Sequence, residues 1–287
     1  TGNLEKALQQ LTESLKFSRI TGDADREIRC LNDLGHVAQN LGDIDEAAKY
    51  YQDCAAISRR EGDAISEASC LGNLANIEKT RGNSEKAERM YLQALETFRD
   101  EDDRVGEAAI LANIGNLMLQ RHDYEGAEEL YQEALAIGRE TEDPLFEAKA
   151  MYALGNLAID RQREDEAESL VRQALQISRE EEAPKWESSS LVLLGRIAGL
   201  RDDFEGEERY YREALEVGRE SGTVGTQATA LRFLGVLCSV LDRIEEAEGH
   251  YREALDLLKN SDPTQSAGLH QALGNAISLR GDLEEAE

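Results

Sequence analysis

Residues 103–142 read DRVGEAAILANIGNLMLQRHDYEGAEELYQEALAIGRETE. Ile110, Ile114, Leu117 and Met118 fall at i, i+4, i+7 and i+8, the apolar stripe of one amphipathic helix. Tyr124, Ala127, Tyr131, Ala134 and Leu135 make the matching stripe of a second. Between the two lies His122-Asp123, and Glu142-Asp143-Pro144 closes the stretch. Asp at such places starts helices, because its carboxylate caps exposed N–H groups. The stretch therefore predicts two helices of about four turns joined by tight loops.

The same unit recurs along the whole chain. Ala7, Ala47, Ala87, Ala127, Ala167 and Ala247 are spaced by 40 or a multiple of it, and Ala286 arrives one residue early. Glu207 is the exception in that column, which predicts either local slack with the carboxylate tilted to solvent or a bend. A second column reads Leu34-Gly35, Leu74-Ala75, Ile114-Gly115, Leu154-Gly155, Leu194-Gly195, Leu234-Gly235 and Leu273-Gly274. A third holds Tyr51, Tyr91, Tyr131, Tyr211 and Tyr251, with Val171 in the remaining place. Turns repeat as Gly42-Asp43, Gly82-Asn83 and Gly281-Asp282 within units, and as Glu61-Gly62-Asp63 and Ser261-Asp262-Pro263 between them.

One helix pair cannot bury both of its stripes, whereas stacked pairs bury them in a continuous core. Small Gly and Ala let the two backbones of a pair approach, and the tyrosine is expected to fill space against the next pair. The fold class expected is all-α, a right-handed α-α superhelix of antiparallel helix pairs with about 14 helices. Residues 1–20 read as the second helix of a partial repeat, 23–262 as six complete repeats, and 263–287 as a further first helix with the start of its second. Thr1-Gly2-Asn3 aligns with Arg81-Gly82-Asn83, so the chain is expected to be a piece of a longer array with uncapped ends open to self-association.

Composition agrees with helices and narrows the function. The 287 residues include only three prolines, and 59 acids against 32 basic residues give a net charge of −27. A surface this acidic repels phosphate backbones, so no nucleic acid is expected as a partner. No apolar run nears the ~18 residues of a membrane span, so no membrane is expected either. Cys30 and Cys70 share a column with Ile110, Ala150 and Ala230, while Cys54 shares one with Ala94, Ala134 and Ala174. Columns that accept Cys, Ala and Ile are packing positions, and these cysteines, with Cys238, are expected as buried thiols in a reducing, cytoplasmic setting. A basic residue ends most second helices (Arg19, Arg59, Arg99, Arg139, Arg179, Arg219, Lys259), where it suits the negative end of the helix dipole and can pair with Glu27, Glu67, Glu107, Glu147 or Glu187.

Leu-Gly in the first helix, and Ala, an aromatic residue and Ala in the second, resemble the tetratricopeptide repeat. The usual unit has about 34 residues, so this one is six longer. Gly106-Glu107-Ala108 and Asn113-Ile114-Gly115-Asn116-Leu117 resemble the longer variant of LGN/Pins-type and kinesin-light-chain-type adaptors. The resemblance implies a non-enzymatic module binding an extended peptide or partner segment in a concave groove lined by the first helices. A structural or sensor solenoid inside a larger signalling protein is the alternative it implies.

By the same resemblance, the residue after Leu-Gly faces the groove: His36, Asn76, Asn116, Asn156, Arg196, Val236 and Asn275. An Asn amide both donates and accepts, so a row of them can grip a peptide backbone, or can bond neighbouring helices within the solenoid. One turn away lie Asn32, Tyr152, Val192 and Arg232, and on the other side Lys79, Leu119, Ile159 and Leu200. Arg196 and Arg232 could receive a partner's carboxylate or pair with neighbouring acids. Trp186 is expected to be buried between units. No phosphate loop, nucleophile elbow or metal-ligand spacing is present, and His36, His122, His250 and His270 occupy different columns, so neither catalysis nor a cofactor or metal is expected.

Overall fold

Every twenty residues the backbone turns through one residue in the left-handed region. In the computed structural model, which describes residues 2–258 and 263–286, these are Gly22, Gly42, Gly62, Gly82, Gly222 and seven non-glycines from Asp102 to Asp242. The 40-residue period is thus two backbone half-periods, most of them a 17-residue helix and a three-residue turn. The helices are α1 (Gly2–Thr21), α2 (Ala24–Asn40), α3 (Ile44–Glu61), α4 (Ala64–Thr80), α5 (Ser84–Asp100), α6 (Arg104–Gln120) and α7 (Tyr124–Glu140). They continue as α8 (Pro144–Asp160), α9 (Glu164–Glu180), α10 (Pro184–Leu200), α11 (Phe204–Ser221), α12 (Val224–Val240), α13 (Ile244–Leu257) and α14 (Pro263–Ala286). Among the described residues there is no strand, and the all-α helix-pair solenoid is the fold class expected.

Helix starts follow the capping chemistry of the sequence. The carboxylates of Asp23, Asp43, Asp63, Asp103, Asp123, Asp143 and Asp203 each accept from the backbone N–H three residues on, at 2.9–3.2 Å. Pro144 and Pro184 open α8 and α10. The turn expected at Gly281-Asp282 is not a break, because α14 runs through it to Ala286. Lys259 and the Ser261-Asp262 turn lie outside the described residues.

Contacts group the chain into two compact units, Thr1–Glu142 and Asp143–Glu287. The first holds α1 and three helix pairs; the second holds three pairs and α14. Within the first, α4 and α6 touch; within the second, α8, α10, α12 and α14 touch in succession. Second helices pack chiefly on first helices, so in each unit the first helices form the tighter layer.

The tyrosine column seals each pair rather than serving mainly as filler toward the next. A Cβ on Gly115 would stand 2.6 Å from the Tyr131 ring, and one on Gly235 would stand 2.5 Å from that of Tyr251. Gly35 and Gly195 meet Tyr51 and Tyr211 in the same way, and Gly155 meets Val171. The ring occupies the volume that a side chain on the facing helix would need. Tyr51 and Tyr131 are fully buried as a result, and Tyr91, whose pair carries Ala75 in the glycine column, is fully buried too.

All four cysteines are buried, as expected, but Cys54 and Cys70 are joined in a disulfide. Each lies eight residues from Gly62, so the antiparallel hairpin of α3 and α4 brings them face to face. The equivalent pair about Gly22 is Ser14 and Cys30, whose thiol donates to the serine hydroxyl at 3.2 Å. Reading the columns one at a time hides this pairing; reading them as mirror positions about a turn reveals it.

Arginines at second-helix ends tie successive elements together. Arg19–Glu27, Arg59–Glu67, Arg99–Glu107 and Arg179–Glu187 pair across a turn at 2.6–2.9 Å. Arg99 and Arg219 reach further, to Glu133 at 2.8 Å and Glu253 at 2.5 Å. A second set links first helices backward: Arg121–Glu88 at 2.8 Å, Arg201–Asp165 and Arg243–Glu208 at 2.7 Å, and Arg280–Glu248 at 3.0 Å. Most of these arginines are too exposed for any one pair to add much stability, but the two sets occupy many of the chain's cations.

Candidate protein-binding face

The residue after Leu-Gly is held by the tyrosine of its own pair. In the first unit the Tyr51 hydroxyl lies 3.0 Å from Nδ1 of His36. Tyr91 donates to Oδ1 of Asn76 at 2.6 Å, and Tyr131 to Oδ1 of Asn116 at 2.8 Å. In each case 15 residues separate the partners. Burial pushes the Tyr51 and Tyr91 hydroxyls far above the ordinary tyrosine range, so they remain donors. A donor on Oδ1 fixes which end of each amide faces inward, and leaves the two N–H groups of Nδ2 for the open side. Asn76 is half-buried, while Asn116 and His36 are exposed.

The other first-unit candidates differ in setting. Asn32 accepts from the Asn73 amide at 3.0 Å, a link within the solenoid. Lys79 is half-buried, and loss of solvent around its ammonium lowers its pKa. Burial likewise lowers the His36 pKa, against an opposing pull from Asp33.

In the second unit the pattern changes because Val171 has no hydroxyl. Asn156 instead accepts from Nη1 of Arg196 at 2.8 Å, joining α8 to α10. Arg196 takes the Asn position of the next pair, and the Tyr211 hydroxyl turns instead to the Glu207 carboxylate as acceptor. Glu207 is not tilted to solvent, as the slack reading had it, but packs against Gly199, where a Cβ would stand 2.7 Å from its Oε2. Its pKa is raised, chiefly by burial.

Tyr152 lies edge-on to Trp186 with ring centres 5.7 Å apart, and Trp186 is half-buried rather than enclosed. Arg232 is exposed and lies over the Phe233 ring, 4.3 Å from its centre, while Phe233 stacks on Tyr211. Val192 and Ile159, expected on the open face, are apolar side chains drawn into the core of the second unit, whereas Arg232, in the same column as Val192, stays exposed. Asn275 is exposed on α14.

Lys149 and Lys185, which column reading did not select, flank Trp186 at 5.8 and 5.7 Å from its ring centre. Val240 is a second omission; its column runs Asn40, Thr80, Gln120, Asp160 and then Leu200, Val240, a switch from polar to apolar that was visible in the sequence. Among the described residues no group of three or more His, Cys, Asp or Glu could hold a metal ion. No described helix is long and apolar enough to cross a membrane.

Known structures share this architecture at low identity. BtubC (BKLC) from P. vanneervenii matches 77% of this chain and 92% of its own, with a TM-score of 0.61 and 21% identity. A signal-transduction ATPase with numerous domains and a tetratricopeptide repeat sensor, from Pyrococcus horikoshii, aligns over 92% of this chain and 41% of its own, with a TM-score of 0.63 and 16% identity. Cut9-Hcn1, an APC/C hetero-tetramer, aligns over 95% of this chain and 47% of that chain, with a TM-score of 0.65 and 14% identity. No match to this chain is found among curated proteins. The tetratricopeptide repeat family model matches residues 1–60, 27–100, 66–140 and 146–220. Repeats of this family generally mediate protein–protein interaction and are typically non-enzymatic. With most of its length matched by that model, the chain belongs to the tetratricopeptide repeat family.

Proposed function

We propose that the protein is a binding module that grips an extended segment of a partner protein along its layer of first helices. The observation that carries this reading is the oriented row His36, Asn76 and Asn116. Each is locked from behind by a tyrosine hydroxyl, so the row presents hydrogen-bonding groups outward with little rotamer freedom left to lose. Packed helices stand roughly 10 Å apart, and an extended chain advances about 3.3 Å per residue. One amide can therefore meet one backbone carbonyl about every three residues, whatever side chains the partner carries.

The test separates donor from acceptor. Asn76→Asp and Asn116→Asp keep an oxygen for each tyrosine but remove the outward N–H groups. Peptides recovered from a random displayed library by the full chain should bind the double variant at least tenfold more weakly, with helicity and thermal midpoint retained. Unchanged affinity in a folded double variant overturns the reading.

A further inference from the structure

The second unit carries cations of a different kind from the ion-paired arginines described above. Lys149, Lys185, Arg196 and Arg232 take no described carboxylate as an ion-pair partner. Lys149 and Lys185 lie on Trp186, Arg232 lies on Phe233, and Arg196 is held by Asn156. Cations placed on ring faces keep their full charge and N–H groups for a ligand, and the ring holds them in place. In a chain of net charge −27, cations without an ion-paired carboxylate form a distinct set. Within it, burial lowers the Lys149 pKa and Lys149 feels the charge of Asp143, so Arg196 and Arg232 are the cations left for a ligand.

Beside Arg196 and Arg232, toward the C-terminal ends of α10 and α12, lies an apolar strip. Leu200 on α10 is 53% exposed, and Val236 and Val240 on α12 are 43% and 65% exposed. On α12, Arg232, Val236 and Val240 stand at i, i+4 and i+8, so they share one face. On α10, Arg196 and Leu200 repeat the i, i+4 relation. α10 and α12 touch, and the Tyr211 phenol lies within electrostatic reach of both arginines. Arg196 and Val236 share one repeat position, and Leu200 and Val240 share the next, so the face passes from cationic at Arg232 and Arg196 to apolar at Val236, Leu200 and Val240.

We infer that the second unit recognises an extended protein segment in which acidic and apolar residues alternate. Successive side chains of an extended strand point to opposite sides, so one set of residues meets Arg196 and Arg232 while the other covers Leu200, Val236 and Val240. This assignment rests on the reading that the first helices bind an extended segment, and adds the chemistry of the segment. Nucleic acid also offers negative charge and bases to stack on Trp186, but its phosphates meet the repulsion of the whole acidic chain.

The full chain is titrated with capped peptides whose cores are three Glu-Leu, three Gln-Leu or three Glu-Ser pairs, flanked by Gly-Ser. Calorimetry and the fluorescence of Trp186, the sole tryptophan, report binding. The Glu-Leu peptide should bind at least tenfold more tightly than either of the others. R196Q/R232Q should bring Glu-Leu down to the Gln-Leu level, and V236S/V240S to the Glu-Ser level, with circular dichroism unchanged in both. Equal binding of Glu-Leu and Gln-Leu, or indifference to R196Q/R232Q in a folded variant, overturns the acidic assignment while leaving segment binding intact. Failure of all three peptides, together with failure of the displayed library, overturns both. Preference for a thymidine decanucleotide over the Glu-Leu peptide overturns the assignment in favour of single-stranded nucleic acid.

Discussion

Arg196 donates from Nη1 to Oδ1 of Asn156 at 2.8 Å, across one full repeat of 40 residues. The bond depends on a third residue: Val171 occupies the tyrosine position of that pair and leaves the Asn156 oxygen open. A double-mutant cycle of Asn156→Ala and Arg196→Gln should show a coupling of about 1 kcal/mol by denaturant unfolding. In a Val171→Tyr background the new hydroxyl should take the oxygen, as Tyr131 takes that of Asn116, and the coupling should vanish. Val171→Phe, which has the ring without the hydroxyl, should preserve it. Survival of the coupling in Val171→Tyr would break the link.

Glu207 and Gly199 are a size-matched pair, the only place among the complete repeats where an acid replaces the small alanine. Gly199→Leu drives a side chain into the carboxylate and should cost about 1–3 kcal/mol. Gly199→Leu with Glu207→Ala recreates the Leu119 and Ala127 combination of an ordinary repeat, and should recover that loss. Chemical denaturation of the single and double variants decides; a double variant no better than Gly199→Leu alone refutes the pairing.

The same carboxylate predicts a pH response of definite sign. Burial raises the Glu207 pKa above its ordinary 4.5, with the Tyr211 hydrogen bond acting against the shift. The folded state then holds the proton more tightly than the unfolded state, so this group's contribution falls as pH rises through that interval. Glu207→Gln should be more stable than the parent at pH 7, and the advantage should fade on acidification to about pH 4. Glu168→Gln should behave oppositely, because Arg201 and Arg172 lower the Glu168 pKa and its contribution is present above the unfolded value. Thermal midpoints of both variants between pH 4 and pH 7 test the signs; a common direction would contradict the assignment.

Reduction should weaken the first unit. Opening the Cys54–Cys70 disulfide frees a 16-residue separation, and a link over a loop of that size stabilises by about 3 kcal/mol. A phosphine reductant should lower the melting midpoint of the parent but leave Cys54→Ala/Cys70→Ala unmoved. Under denaturing, non-reducing conditions alkylation should label only Cys30 and Cys238, the two free cysteines. Labelling of all four would remove the basis for the shift.

The helices, their turns and the family were legible at the level of single columns. The spacing of Ile110, Ile114 and Leu117, the aspartates after each turn and the Gly–Tyr alternation encode structure over about twenty residues, where helix propensity and capping act. The row after Leu-Gly was legible as a row. Its two alternatives, binding outward or bonding inward, concern the two ends of one amide, and the Tyr91 and Tyr131 hydroxyls occupy the inward end of Asn76 and Asn116.

The sequence by itself therefore determined the period, the class of fold and which positions are small, aromatic or capping, because each depends on neighbours within one helix pair. Only the tertiary structure decided which column meets which. Cys54 finds Cys70, Glu207 fills the space above Gly199, and Asn156 passes from the tyrosine position to Arg196. The physical reason is that a donor and an acceptor, or a large residue and a small one, are complementary only once packing sets them against each other. A departure in one column, such as Val171 or Glu207, then has its explanation in another.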